Sequence, residues 1–315
     1  MEIVRYADRT DSGVRVGVRH DGRVTHLAEV GEIAGLLRLP LREIRRLVDA
    51  AVGAAGSTAG STDAASSVAE SDVLLLPPVD GRTEVWASGV TYERSKVARV
   101  EESSEKSVYE KVYDAERPEL FFKALPWRVV TEAEPIGIRS DSGLDVPEPE
   151  LGVVANSAGE IVGYVVCNDV SSRVIEGENP LYLPQAKVYA GSCAISVGIR
   201  PAWEVADASA LDITLTVVRA GKPAWKGETS TSKIRRSLEE LVSYVLAGDA
   251  YPDGFVLATG TGIIPEMSFT LAAGDRVDIE IAGVGVLSNP VVVGKEPLSW
   301  LVDSLTDPFA REAVR

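Results

Sequence analysis

The sequence predicts an α+β protein rich in strand, with a small αβ unit over residues 1–72 ahead of a larger, strand-dominated body over 73–315. Three observations lead there. The first fifty residues pair a hairpin signature with a helical apolar pattern. An almost featureless stretch of small residues follows. Beyond residue 73, segments rich in Val and Ile recur between Gly, Asn and Pro, and few segments carry helical periodicity.

The hairpin lies in VGVRHDGRVTHLAEV, where Asp21-Gly22 separates two alternating apolar and polar runs. Leu36, Leu37, Leu41, Ile44, Leu47 and Val48 then repeat at helical spacing, and Pro40 is expected to divide a short helix from a longer one. Residues 51–72 are mostly Ala, Gly, Ser and Thr. Such a stretch buries too little apolar surface to offset its ordering entropy, so it reads as a flexible linker whose first residues can extend the preceding helix. The expected strands of the body are EVWASGV, LGVVA, IVGYVVCNDV, AISVGI, LDITLTVV, RVDIEIAGVGVL and PVVVG, with hairpin turns at Asn156–Gly159 and Ala220-Gly221. The clearest helix starts at Ser237, whose S-x-x-E pattern with Glu240 is a capping box, and stops near Gly248. Residues 94–113 read as a charged helix or lid, and the stretch 94–117 is expected to order over substrate.

Composition narrows the chemistry. Against 47 acidic residues stand 32 basic ones, a net charge of −15. This disfavours nucleic acid and anionic lipid as partners. No apolar run approaches the roughly 20 residues of a membrane span, and the N-terminus lacks a signal-peptide core. The expectation is a soluble cytoplasmic protein. His20 and His26 are the only histidines and both sit in the hairpin, so a His-based triad or zinc site is disfavoured. A metal would be held by carboxylates, which suits Mg²⁺, Ca²⁺ or Mn²⁺.

Five features can carry such chemistry. Glu148 and Glu150 are two apart, on one face of an expected strand, and need a cation near them if buried. The alternative is a solvated strand end. Asp169 closes an apolar run that can pair beside the Glu pair, although alone it would read as a helix cap. Lys187 follows apolar residues and can balance an anionic substrate or, desolvated, act as a base. Arg173 can clamp a carboxylate. For both, an ordinary surface charge is the alternative. The Gly260-Thr261 region of ATGTGIIP can offer backbone N–H groups and a hydroxyl to an oxyanion, or be a plain turn.

Taken in order, these pieces resemble the fumarylacetoacetate hydrolase superfamily. The matching residues are Gly89-Val90-Thr91-Tyr92, Pro118 to Lys123, Glu148-Pro149-Glu150-Leu151, Gly163-Tyr164, Asn168 to Arg173, Lys187, Thr259-Gly260-Thr261 and Gly274-Asp275 with the AGVGVLSNPV strand, together spanning roughly 80–295. The resemblance implies a mixed β-roll and a homodimer or homotetramer. It also implies Glu148, Glu150 and Asp169 as ligands of Mg²⁺ (or Ca²⁺ or Mn²⁺), with Lys187 beside the substrate. Ser88, Gly89, Arg173 and Thr261 would join Lys187 in binding it. Hydrolytic members show G-x-N-Y-x-x-H-x-x-E, whose His and Glu activate water. Here Ser95 and Ala98 stand in those places.

The wording GVTYERS, VYDAERPELFFKA and NDVSSRVIEGENPLYLPQAKVY resembles the subgroup of 2-dehydro-3-deoxy-sugar-acid dehydratases. The implied activity is Mg²⁺-dependent loss of water from a small-molecule 2-keto-3-deoxy sugar acid. Lys187 would be the base or enolate-side cation, and Glu116, Tyr92 or a metal-bound water the acid. A hydrolase or decarboxylase of another 2-keto acid is the alternative on this scaffold. A non-catalytic binding protein clipped by a metal is the alternative from another class.

Overall fold

The computed structural model describes residues 1–55, 67–102 and 111–315. Their backbone forms a 12-stranded sheet, a 5-stranded sheet and a two-stranded ribbon, with short helices around them. This is the mixed, strand-rich α+β architecture expected. Along the large sheet the strands run Ser67–Ala69, Arg23–His26, Val14–His20, Glu2–Asp8, Gly198–Pro201, Ile161–Asp169, Pro149–Ala155, Phe255–Ala258, Glu84–Gly89 and Glu119–Ala124. Cys193–Ile195 pairs beside Ile161–Asp169, and Val73–Leu76 beside Glu2–Asp8. Pairing is antiparallel except between Phe255–Ala258 and Glu84–Gly89. The N-terminal strands are thus hydrogen-bonded into the sheet that carries the body, through Ile3↔Ile199 and Val4↔Gly198.

The second sheet runs Lys222–Ser230, Asp212–Arg219, Arg276–Ile281, Gly285–Val293, Ile136–Ile138. Its Ile213, Leu215, Val217, Val277, Ile279 and Leu287 share one buried cluster with Leu151, Val153, Tyr164 and Val166 of the large sheet. On the opposite face, Val154, Val165 and Cys167 pack with Ile33, Leu36, Leu37, Ile44, Leu47 and Val48 from the helices Ile33–Leu37 and Leu41–Ala55. Pro149–Ala155 is therefore covered on both sides, and every one of its residues is buried. That is why it reads as a continuous apolar run and not as an alternation.

The local signals behave as their chemistry requires. Asp21 (φ +50°) and Gly22 (φ +72°) make the two-residue turn that brings His20 opposite Arg23. Pro40 separates the two helices. Ser237 caps Leu238–Leu246 by accepting from the Glu240 N–H at 3.1 Å. Other expectations need correction. Part of the supposed linker is ordered, since Ser67–Ala69 pairs with Arg23–His26 and Glu70–Asp72 is a helical turn. Residues 56–66 lie outside the described residues, as do 103–110 within the expected lid. AISVGI is two strands, because the Ser196 hydroxyl takes the Val166 N–H at 3.0 Å and interrupts the ladder. RVDIEIAGVGVL also divides, at a turn where Val284 N–H meets the Ile281 carbonyl. Among the described residues, no helix is long and apolar enough to cross a membrane.

Candidate active site

Strand geometry assembles the site. Residues 148, 150, 152 and 154 alternate onto one face of their strand, and 165, 167 and 169 onto the same face of the next, with Glu150 opposite Cys167. The Asp169 N–H donates to the Glu148 carbonyl at 2.9 Å, so the strand end delivers Asp169 to the Glu pair. One carboxylate oxygen from each of Glu148, Glu150 and Asp169 lies within 4.8 Å of the others, and all three residues are buried.

Three buried cations face these acids. Lys187 Nζ reaches Glu148 Oε2 at 2.5 Å, Asp169 Oδ2 at 3.0 Å and Ser171 Oγ at 2.6 Å. Arg173 Nη2 reaches Glu148 Oε1 at 3.2 Å. Lys123 Nζ pairs with Asp169 Oδ1. A fourth acid, Glu176, sits 3.9 Å from Lys187. Glu150 has no cation of its own among the described residues; it accepts the Gly260 N–H at 2.7 Å. Burial pushes the Glu150 carboxyl well above the usual carboxylate range, and the charges of Asp169 and Glu148 push it further. Glu150 is thus the member of the cluster whose charge is least compensated by a direct ion pair among the described residues.

The loop after Phe255–Ala258 explains how Gly260 serves. It has φ +92°, and a Cβ there would stand 2.1 Å from Thr91 Oγ1 and 2.9 Å from the Ser88 carbonyl. Only glycine lets this loop press against the Ser88–Thr91 turn while giving its N–H to Glu150. Val90 in that turn has φ +52°, a strained conformation for a β-branched residue. The Gly260 N–H and Thr261 hydroxyl are thus already engaged, the latter with Ile263, which fits the plain-turn alternative better than an open oxyanion cradle.

Ser88, Gly89, Arg173, Lys187 and Thr261 line one small cavity with the three acids, as do Val90, Ser95 and Phe121. Its volume is about 20 Å³, room for an ion or a water but not for a sugar acid, so substrate entry requires a wall to move. Ser95 is held at the helix start, donating to the Tyr92 carbonyl at 2.6 Å, and Ala98 is buried. Tyr92 stands behind the cavity. Its hydroxyl is buried without a hydrogen-bond partner among the described residues, and burial, then the charge of Glu150, pushes its pKa up and keeps the phenol protonated.

Glu116 is exposed and, like Glu119, does not line the cavity; its carbonyl accepts from Arg236 and Tyr244. The acid that comes close is Glu119. It lies opposite Gly89, and a Cβ on Gly89 would meet the Glu119 carboxylate at 2.1 Å. Sequence reasoning passed over Glu119 and Lys123. Period two in ELFFKA would have found them, because 119, 121 and 123 share a strand face and Phe121 lines the cavity. His20 and His26 lie in the distant hairpin.

Comparison with known proteins agrees with this geometry. The chain is 53% identical over 214 residues to the probable 2-keto-3-deoxyxylonate dehydratase of Haloferax volcanii, covering 68% of this chain and 73% of that one. It is 46% identical over 225 residues to the 2-dehydro-3-deoxy-D-arabinonate dehydratase of Saccharolobus solfataricus, covering 70% and 75%. A solved structure of 2-keto-3-deoxy-D-arabinonate dehydratase complexed with magnesium and 2,5-dioxopentanoate superposes with a TM-score of 0.74 at 36% identity, over 93% of this chain and 99% of that one. The profile described as fumarylacetoacetate (FAA) hydrolase C-terminal matches residues 84–292, which hold every residue of the site, and the chain belongs to that family.

Proposed function

We propose that this protein is a lyase that removes water from a 2-keto-3-deoxy sugar acid with Mg²⁺ as cofactor. The observation that carries the reading is the buried Glu148–Glu150–Asp169 cluster with Lys187 bound to two of its members. The donor set is all oxygen, as a hard divalent cation requires, and one oxygen of each carboxylate lies within 4.8 Å of the others. Bound there, Mg²⁺ supplies Lewis-acid polarisation of a 2-keto carboxylate. The complex of the related arabinonate dehydratase holds magnesium and a dioxo acid, which supports the same chemistry here.

The chain's own residues then divide the proton transfers. Lys187 spends its three N–H donors on Glu148, Asp169 and Ser171, so it stands as an ammonium. In that form it stabilises a developing enolate oxygen. The alternative role for Lys187 is base for the C3 proton, which it could take only as a neutral amine, its own proton having passed to solvent first. We assign the protonation of the departing C4 hydroxyl to Glu119, half-buried across from Gly89, with the buried Tyr92 as the other candidate. Loss of the C3 proton and the C4 hydroxyl together removes one water. From a pentonate, tautomerisation then leaves an aldehyde at C5. Arg173, Ser88, Gly89 and Thr261 line the same cavity as the acids, which supports assigning them to the substrate once the wall has moved. No histidine activates water, and Ser95 and Ala98 occupy the places where hydrolytic relatives carry that pair.

The same reading treats residues 1–72 as a supporting unit and 73–315 as the catalytic one, in a cytoplasmic protein that assembles as a homodimer or homotetramer. Exposed Leu125, Val302 and Leu305 support association of copies. The test is Glu150→Ala. Mg²⁺-dependent thermal stabilisation and dehydration should vanish together. Native-like Mg²⁺ binding by this variant would overturn the metal assignment.

A further inference from the structure

We infer that Lys123 is a positioning residue that holds Asp169 and Lys187 in working register without touching the substrate; this rests on the metal reading above. Lys123 comes from Glu119–Ala124, the edge strand of the large sheet, and its side chain is 1% exposed. A buried ammonium is costly unless paired and hydrogen-bonded, and this one is both. It pairs with Asp169 Oδ1 and donates to the carbonyls of Val170 at 3.2 Å and Lys187 at 2.5 Å.

The choice of acceptors is the point. Asp169 lies between two ammonium groups, ion-paired to Lys123 at Oδ1 and hydrogen-bonded to Lys187 at Oδ2, and the two charges on opposite oxygens favour one orientation of its carboxylate. Lys123 also takes the backbone oxygen of Lys187, the last residue of the helix Leu183–Lys187, while the Lys187 side chain turns back to Glu148 and Asp169. One ammonium therefore sets the main chain of the lysine and the plane of the acid that this lysine meets. Its ammonium is committed to two carbonyls and the Asp169 carboxylate, and its side chain does not line the cavity. Phe121, two residues earlier on the same face, lines the cavity where Lys123 does not, and the Lys187 ammonium sits 5.6 Å from its ring centre.

Groups that orient metal ligands typically change metal affinity about 10–100-fold when removed. Lys123→Met should therefore raise the Mg²⁺ dissociation constant at least about tenfold, by calorimetry on the metal-free protein well below its melting temperature. At saturating Mg²⁺ it should lower kcat by a comparable factor and leave KM within about twofold, since the substrate contacts remain. A purely structural residue would shift melting temperature and leave Mg²⁺ affinity and kcat alone. If Lys123→Met does not fold, Lys123→Arg decides. It keeps the charge, but a planar fork cannot satisfy three acceptors grouped around one nitrogen. Its expected loss in Mg²⁺ affinity is at least about threefold by the same argument. Native Mg²⁺ affinity in a folded Lys123 variant overturns the inference, provided Glu150→Ala loses binding in the same titration. Native affinity in Glu150→Ala overturns the metal reading and this inference with it.

Discussion

Replacing Lys187 with methionine keeps most of the side-chain volume and removes one charge from the centre of the site. In the native arrangement that charge lies 2.5 Å from Glu148 and 3.0 Å from Asp169, and all three residues are at most 3% exposed. Breaking a buried ion pair by removing one partner typically costs about 3–5 kcal/mol, because the remaining charge is uncompensated. Here each carboxylate keeps a second cation, Arg173 on Glu148 and Lys123 on Asp169, which puts the expected cost near the lower end, about 3 kcal/mol. A 315-residue chain unfolds with an entropy of about 0.66 kcal/mol/K, so the metal-free variant should melt about 4–5 °C lower. Millimolar Mg²⁺ should recover more stability in Lys187→Met than in the native protein, because the cation then neutralises charge that the lysine no longer covers. Turnover should fall by about two orders of magnitude or more, comparable with the loss of an oxyanion donor. Scanning calorimetry with and without Mg²⁺, alongside steady-state kinetics, reads all three effects. An unchanged melting temperature with an unchanged Mg²⁺ increment would refute the electrostatic reasoning, and kcat within tenfold of native would refute the role of Lys187.

Three further outcomes follow from other parts of the molecule. Glu119→Gln should lower kcat by about 10²-fold or more, as loss of a general acid does, whereas Glu116→Gln, at an exposed position, should leave kcat unchanged; the reverse order would return the acid role to Glu116. Asp253 is gripped by Arg82 and Arg38, chiefly through hydrogen bonds from Arg82, and these hold its carboxyl below the usual range. A depressed carboxylate contributes stability above its unfolded value and loses it as pH falls through the folded one, so Asp253→Asn should destabilise at pH 7 by about 1 kcal/mol, the exposed guanidinium groups reducing the effect. That difference should shrink as urea titrations move from about pH 5 towards pH 2, and a gap that widens on acidification would contradict the assignment. The helix Glu93–Glu102 brings Ser95 to the cavity wall, so its amide exchange should slow when pyruvate is added with Mg²⁺; equal exchange would mark it as a fixed wall.

The metal cluster was legible because strand periodicity is strict. Two acids at i and i+2 must share a face, and an Asp at the end of an apolar run that pairs next door must arrive beside them, as Asp169 does. Glu116 could not be placed by periodicity, because the strand begins only at Glu119 and acids upstream of a strand start are free to face solvent. Lys123 escaped notice because a lysine in ELFFKA reads as an edge-strand charge until Asp169 and the Lys187 carbonyl are seen around it. Arg173 and Glu176 lie on a six-residue helix, too short for apolar periodicity to announce it, so the fourth acid near Lys187 was invisible. The strand breaks at Ser196 and at Ala282–Val284 depend on one hydroxyl and one turn, which propensity summed over a window cannot separate.

Dehydration is tested most directly by the mass of the product. Purified protein incubated with a 2-keto-3-deoxy-pentonate and Mg²⁺ should give a single five-carbon product lighter than the substrate by one water, and omission of Mg²⁺ should abolish it. Division into two carbon fragments would place the enzyme among the hydrolases of the family, and loss of CO₂ among decarboxylases. No turnover of pentonates or hexonates by a protein that binds Mg²⁺ would leave a metal-clipped binding protein, and each of these three results would contradict the dehydration derived from Lys187, Glu119 and the three buried acids.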